Sequence, residues 1–297
     1  MVSITRILCP VDFSEFSRHA LDCAIGIARW YGAEVTALHV VPPITAAATP
    51  TGEGLYPPLV FSEEDLQQFR HELDAFAGLP AVPALDTRVS QGNATSEIVR
   101  LAKELPADLL VMGTHGRSGF ERLMLGSVTE KVLRKSPCPV LTVPPRAPAV
   151  VPVNGLFSRV ICAVDFSPAS LRALALAQSL AGEAAAGLCV LHVLEPVSVF
   201  APVPAAEAKA GATAERCREA RHRIDELIGD DARAFTDVAD VIVAGKAYQE
   251  ILRVASEQRA DLIVIGAHGG PRGLPAFGST TNHVVRQATC PVLTVYT

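Results

Sequence analysis

Residues 108–143, DLLVMGTHGRSGFERLMLGSVTEKVLRKSPCPVLTV, and residues 261–295, DLIVIGAHGGPRGLPAFGSTTNHVVRQATCPVLTV, decide the fold between them. Each begins with an acidic residue and an apolar run, passes through a glycine-rich stretch into a helical pattern, and closes on CPVLTV. Working outward, the matches keep a constant offset of 153 residues: Asp12 with Asp165, His39 with His192, Gly92 with Gly245, Glu97 with Glu250, Asp108 with Asp261. After the glycine-rich stretch the offset falls to 152, as in Gly126 with Gly278 and Cys138 with Cys290. The chain is one domain written twice, with a residue lost from the second loop.

A length of 297 residues suits two domains, each large enough to bury a core. The expected domains are residues 1–147 and 156–297, joined by PPRAPAVVPVNGLF at 144–157, whose four prolines suit a stiff connector. Lys and Arg total 26 against 31 Asp and Glu, a net charge of -5, so no concentrated basic footprint for nucleic acid is expected. The sequence has no run of 18 apolar residues, and a strand pattern starts directly after Met1; the expectation is a cytoplasmic protein with no membrane partner. Seven scattered cysteines with no CxxC pair argue against a disulfide framework or a closed zinc site. Most of them read as small buried hydrophobes. His39 and His192 at matched strand ends lack a third ligand, so no protein metal site is expected.

Periodicity predicts strands at 4–9, 34–41, 85–90, 109–112 and 140–143, alternating with helices at 14–31, 62–77, 97–104 and 127–135. The second half repeats this with strands at 158–163, 187–193, 236–243, 261–265 and 292–295 and helices at 168–181, 212–228, 247–258 and 279–287. Such alternation means an α/β fold, a parallel sheet covered by helices. The stretches 42–60 and 196–211 after the second strands read as surface loops, lids or partner surfaces.

The chemistry is concentrated in Gly113-x2-Gly116-x9-Gly126-Ser127, between the strand LLVM and the helix VTEKVLRK. Strand, glycine loop and helix together turn backbone N–H groups toward an anion. Ser127, with Glu130 three residues on, is expected either to cap the helix in a capping box or to hold a phosphate oxygen. His115 is a phosphate donor or an exposed turn residue, and Arg117 and Arg122 either meet phosphate or solvate the loop. Neither GxxxxGK[ST] nor GxGxxG after the first strand is present, which favours holding a nucleotide over fast phosphoryl transfer. Asp12, ending the first strand in CPVDFS, can accept from ribose hydroxyls, approach a hydrated Mg ion or cap the next helix. Val40 packs on a base or completes the core.

With PVDFS, LHVV, GTHGRSGFERLMLGS and SPCPVLTV in the first half and AVDFS, LHVL and ATCPVLTV in the second, the chain resembles tandem members of the universal stress protein family. The resemblance spans both halves. It implies two tandem open parallel-sheet domains of the adenine nucleotide alpha hydrolase-like type, and the G-x2-G-x9-G-S/T loop marks the family's nucleotide-binding branch. It further implies ATP with Mg as ligand and no established general reaction. Carried onto matched positions, Pro10 and Asp12 would lie beside ribose and base, Val40 against adenine, and Met112, Gly113, His115, Gly116 and Arg117 along the fourth strand and its loop. Gly126, Ser127, Val128 and Thr129 would surround the phosphates.

The second loop, Gly266-x2-Gly269-x8-Gly278-Ser279, has lost a residue and contains Pro271 and Pro275, each without an N–H. One residue displaces an extended chain by roughly 3 Å. The stronger site is therefore expected in the first domain. The leading functional reading is an ATP-binding stress-response regulator; an interaction scaffold with weak anion binding and a slow ATPase are the alternatives. The family's terminal strands suggest pairing of the two copies, a homodimer of chains, and an unidentified protein partner.

Overall fold

The structure, a computed structural model, describes residues 3–43, 61–78, 84–116, 125–145, 157–195, 206–235, 237–267 and 278–296. The expectations placed on 44–60, 117–124, 146–156, 196–205 and 268–277 lie outside the described residues. Two compact units emerge, one spanning Ser3–Pro145 and one beginning at Arg146.

In the first unit the order is β1 (Arg6–Val11), α1 (Glu15–Tyr31), β2 (Glu34–Val41), α2 (Glu63–Ala77), β3 (Leu85–Gln91), α3 (Ala94–Glu104), β4 (Leu109–Gly113), α4 (Ser127–Leu133) and β5 (Val140–Val143). Every pairing is parallel, in the order β3-β2-β1-β4-β5. With right-handed crossovers, α1 and α2 lie on one face of the sheet and α3 and α4 on the other; α3 packs on α4 and α2 on β3. The central strands carry continuous apolar runs because both faces are covered. Leu8, Leu38, Leu110 and Val111 are completely buried. Each contributes about 1.5–3 kcal/mol by burial, more than a helix cap at about 1 kcal/mol, so the strands rather than the helix ends fix the register.

The second unit repeats the plan: β6 (Arg159–Ala163), α5 (Pro168–Ala184), β7 (Gly187–Leu194), α6 (Ala206–Phe235), β8 (Val238–Ala244), α7 (Ala247–Glu257), β9 (Leu262–Gly266), α8 (Ser279–Gln287) and β10 (Val292–Val295). Its order is β8-β7-β6-β9-β10, again parallel. Among the described residues no helix is long and apolar enough to cross a membrane. All seven cysteines are free, and six are buried. Burial pushes the Cys23 and Cys290 thiols up to about 12, with the nearby Asp22 and Asp261 carboxylates adding to the effect, so both stay protonated at neutral pH.

Three of the departures from the periodicity have a local cause. α3 starts at Ala94 rather than 97 because Asn93 caps it, its Oδ1 accepting from the Ser96 N–H at 3.2 Å. α6 runs over 206–235, beyond 212–228, because its Ala-rich and charged first turns have high helix propensity without an apolar stripe. β1 continues past Cys9 through Pro10 to Val11 along β2, yet its ladder with β4 is limited to Ile7–Leu109 and Leu8–Leu110. Alternation points the Arg6, Leu8 and Pro10 backbone groups toward β4, consistent with the Asp108 N–H donating to the Arg6 carbonyl at 2.9 Å. Pro10 has no N–H to continue that ladder. In the second unit Ala163 replaces Pro10, and the β6–β9 ladder extends to Ala163–Ile265.

Candidate functional site

The order of strands reverses direction between β1 and β4, and the crevice beyond their carboxyl ends is where an open α/β sheet takes a ligand. The end of the β1 ladder at Pro10 opens that crevice in the first unit. Val11 leads into Asp12, and Phe13 then adopts a left-handed backbone, φ 63°. That turn places Ser14, not Asp12, at the N-cap of α1, with Ser14 Oγ accepting from the Ser17 N–H at 3.2 Å. Asp12 braces the cap instead: its Oδ1 accepts from the Ser14 N–H at 3.1 Å and the Ser14 hydroxyl at 2.5 Å. The Phe13 ring lies 4.4 Å from His39 and 5.4 Å edge-on from Phe76. His39 is buried, and its Nδ1 meets the Val11 carbonyl at 2.8 Å; a carbonyl only accepts, so Nδ1 carries the proton.

Three glycines form the other wall. A Cβ on Gly116 would stand 2.6 Å from Asp12 Oδ2, and one on Gly113 would stand 3.0 Å from the Phe16 carbonyl. Only a glycine lets the loop approach the carboxylate this closely. Gly126 N–H donates to the Thr114 carbonyl at 2.8 Å, bringing the far end of the loop back to β4, and the Thr129 hydroxyl donates to the Gly113 carbonyl at 2.9 Å. The Thr129 hydroxyl proton is thus committed to holding α4 on β4. His115 Nδ1 lies 2.9 Å from Thr114 Oγ1, while His115 Nε2 is buried without a hydrogen-bond partner among the described residues.

The capping box expected for Ser127 is not formed. Gly126 is the N-cap of α4, at φ -55° and ψ 135°, with no side-chain cap bond, so Ser127 is already the first helical residue. The Glu130 N–H donates to the Gly126 carbonyl at 2.9 Å, and its carboxylate pairs with Arg134 at 2.9 Å. Serine followed three residues later by glutamate satisfies the pattern, but the extended backbone at Gly126 moves the cap back by one.

Pro10, Asp12, Val40, Met112, Gly113, His115, Gly116, Gly126, Ser127, Val128 and Thr129 all line one cavity of about 330 Å³, a size within the small-molecule range. Arg117 and Arg122 lie outside the described residues. Val11, Ser17, Leu38, His39, Ala94 and Ile98 complete the lining among the described residues, and sequence reasoning does not assign them to it. The signal for the last two is the matched Gly92 and Glu97 positions, which place the start of α3 at the same sheet edge. Among the described residues no lysine lines the cavity, and no cluster of three or more His, Cys, Asp or Glu side chains could hold a metal by itself. Asp12 with ligand phosphates would suffice for Mg²⁺, which commonly binds one or two carboxylates plus phosphate oxygens.

The second unit repeats the turn at Asp165: Phe166 has φ 63°, Ser167 caps α5, and His192 Nδ1 meets the Val164 carbonyl at 2.7 Å. Its cavity, about 460 Å³, has Asp165, His192, Val193, Gly266, Gly278 and Ser279 where the first has Asp12, His39, Val40, Gly113, Gly126 and Ser127.

The model of the universal stress protein family matches residues 3–144 and again 156–296. The chain belongs to this family. Universal stress protein MJ0531 of Methanocaldococcus jannaschii is 38% identical over 141 residues, covering 46% of this chain and 81% of that protein. Universal stress protein YxiE of Bacillus subtilis is 33% identical over 145 residues, covering 46% and 97%. Each relative therefore matches about half of this chain. The crystal structure of a universal stress protein from Archaeoglobus fulgidus is similar over nearly the whole length, with a TM-score of 0.67 at 24% identity, covering 98% of this chain and 96% of that one. At that identity the likeness concerns the fold.

Proposed function

We propose that this universal stress protein holds an adenine nucleotide, ATP with Mg²⁺, in the cavity of its first domain, and that occupancy rather than turnover is its regulatory output in a stress response. The observation that supports this most directly is the meeting of Asp12 and Val40, from β1 and β2, with the glycine loop in one cavity at the switch point of the sheet. In this reading adenine packs against Val40 and Pro10, and the Asp12 carboxylate accepts from the ribose hydroxyls. The phosphates lie over Gly113, Gly116, Gly126 and Ser127, where His115 Nε2 and backbone N–H groups donate and Arg117 adds charge. Mg²⁺ would neutralise charge on the phosphates, and Asp12, the carboxylate among the described lining residues, would help to hold it. Residues 1–147 and 156–297 are proposed as the two domains, and two chains as a homodimer whose mass by light scattering is near twice 31.4 kDa.

Calorimetry with Mg and ATP tests the assignment. Gly126→Val places a branched side chain where a single Cβ already stands 3.3 Å from the Thr114 carbonyl, and it should weaken binding by well over about tenfold, or 1.4 kcal/mol. Asp12→Asn keeps an acceptor for Ser14 and removes the charge; it should weaken binding while leaving the unfolding midpoint nearly unchanged. Unaltered affinity in both variants excludes this cavity as the site.

A further inference from the structure

Among the described residues the two cavities differ at the end beyond the second strand of each unit. In the second domain Glu195 stands just beyond β7, two residues past Val193 and so on the same side of the chain, and it lines the cavity together with Arg216 of α6. Glu195 Oε1 accepts from the Ala247 N–H at 3.1 Å, which fixes the carboxylate at the start of α7, where Lys246 as N-cap makes no side-chain cap bond. Arg216 donates from Nη2 to the Glu195 carbonyl at 3.4 Å. Arg223, seven residues further along α6, lies 3.9 Å over the ring of Phe166, the neighbour of Asp165 in the chain. The first domain has nothing similar among its described residues. Pro42 occupies the position matching Glu195, and no α2 residue lines that cavity.

A carboxylate only accepts hydrogen bonds and a guanidinium only donates them. A ligand held beside Val193 by both must offer acceptors and donors on adjoining edges. Guanine does so twice over, with O6 and N7 as acceptors and N1–H and N2–H₂ as donors, so each partner engages bidentately. Adenine offers N7 beside one amino group, and its N1 would set a lone pair against the carboxylate. The phosphate end is poorer than in the first domain, since the sequence from Gly266 to Gly278 is one residue shorter and carries two prolines without N–H groups.

We propose that the cavity of the second domain is a separate site for a guanine nucleoside, with Glu195 and Arg216 as the residues that select the base and Asp165 accepting from the ribose hydroxyls. This goes beyond the ATP site of the first domain and does not depend on it. The probe is guanosine, titrated calorimetrically into the full chain saturated with Mg and ATP, and separately into the Gly126→Val protein, with adenosine as the comparison. Guanosine should bind both preparations equally and adenosine about tenfold or more weakly, the size of a bidentate base contact. Glu195→Gln, which keeps an acceptor for the Ala247 N–H, and Arg216→Met, which keeps the aliphatic stem, should each lower guanosine affinity about tenfold or more and leave ATP binding unchanged. Absence of guanosine binding to the wild-type chain, equal affinity for the two nucleosides, or full guanosine affinity in both variants overturns the proposal. The comparison of nucleosides on the wild-type chain needs no substitution, so it decides between the two bases whatever the variants do to folding.

Discussion

Phe13 and Phe166 hold a left-handed backbone that a large L-residue adopts at a cost of about 1–2 kcal/mol. Both sit directly after the aspartate that faces the cavity. Ring packing on His39 or His192 and the hydrogen bonds from Ser14 or Ser167 to that aspartate offset the strain. Nothing in the string PVDFS reveals the dihedral, which is why Asp12 reads equally as a helix cap and as a ligand residue until the turn is seen. Asp108, at the opposite end of the sheet, is simpler. Its Oδ2 accepts from the Thr5 N–H at 2.8 Å, the Thr5 hydroxyl at 2.7 Å and the Arg6 N–H at 3.0 Å; Asp261 repeats the arrangement with Ser158 and Arg159. Partial burial works against the Asp108 charge, but these hydrogen bonds and the Arg6 charge outweigh it and hold the carboxyl below its usual range. A depressed folded value stabilises above the unfolded value, about 4, and the contribution disappears as pH falls through the folded value. Asp108→Asn should therefore lower stability by about 1 kcal/mol at pH 7, and the difference from wild type in urea unfolding should shrink as the pH drops below about 4. A difference independent of pH would mean that the carboxylate charge is not involved.

Helix ends test the duplication at the next scale. α1 stops at Gly32, φ 66°, and α5 stops at the matched Ala185, φ 50°, both left-handed. Glycine takes that conformation without a Cβ penalty, whereas alanine is strained there. Ala185→Gly should raise stability by about 0.5–1 kcal/mol and Gly32→Ala should lower it by a similar amount, read from the denaturation midpoints; the same sign for both would contradict the cap geometry. Gly32 has open space around its Cβ position, so packing does not obscure the comparison. The strands were the legible elements, because a parallel sheet covered on both faces requires continuous apolar runs such as LLVM and LIVI. Helix boundaries were less so. The first turns of α6 carry no apolar stripe to mark them, and the N-cap of α4 depends on the dihedrals of Gly126 rather than on the Ser127–Glu130 pattern. Pro10 was legible as a position in the cavity but not as the residue that ends the β1–β4 ladder, since that role needs the direction of its neighbours' backbone groups.

The duplicated molecule carries one cavity whose parts are spaced so regularly that the sequence brings them together, and a second whose distinguishing pair, Glu195 and Arg216, comes from a loop entry and a helix that no sequence motif links. In the first site the glycine loop and the ends of β1 and β2 were recognisable because parallel strands deliver their carboxyl ends to one edge. What that site can do with a triphosphate follows from its inventory. Holding ATP requires donors around the phosphates, a role proposed for the backbone around Gly113, Gly116 and Gly126, for Ser127 and for His115. Accelerating hydrolysis requires more: groups that bind the transition state better than the ground state, such as a cation that follows charge toward the leaving oxygen or a base that orients water. Among the described residues the cavity has no lysine, and Asp12, its one carboxylate, is tied by Ser14 beside Gly116 rather than standing free to activate water. Backbone N–H groups fixed on ground-state phosphates stabilise both states to a similar degree. Purified protein saturated with Mg and ATP should therefore release phosphate at close to the rate of a protein-free control, and ATP should be recoverable intact from the complex after prolonged incubation. Multiple turnovers abolished by Gly126→Val and retained by Glu195→Gln would instead make the first domain an ATPase and place the missing transition-state contact in the loop around Arg117.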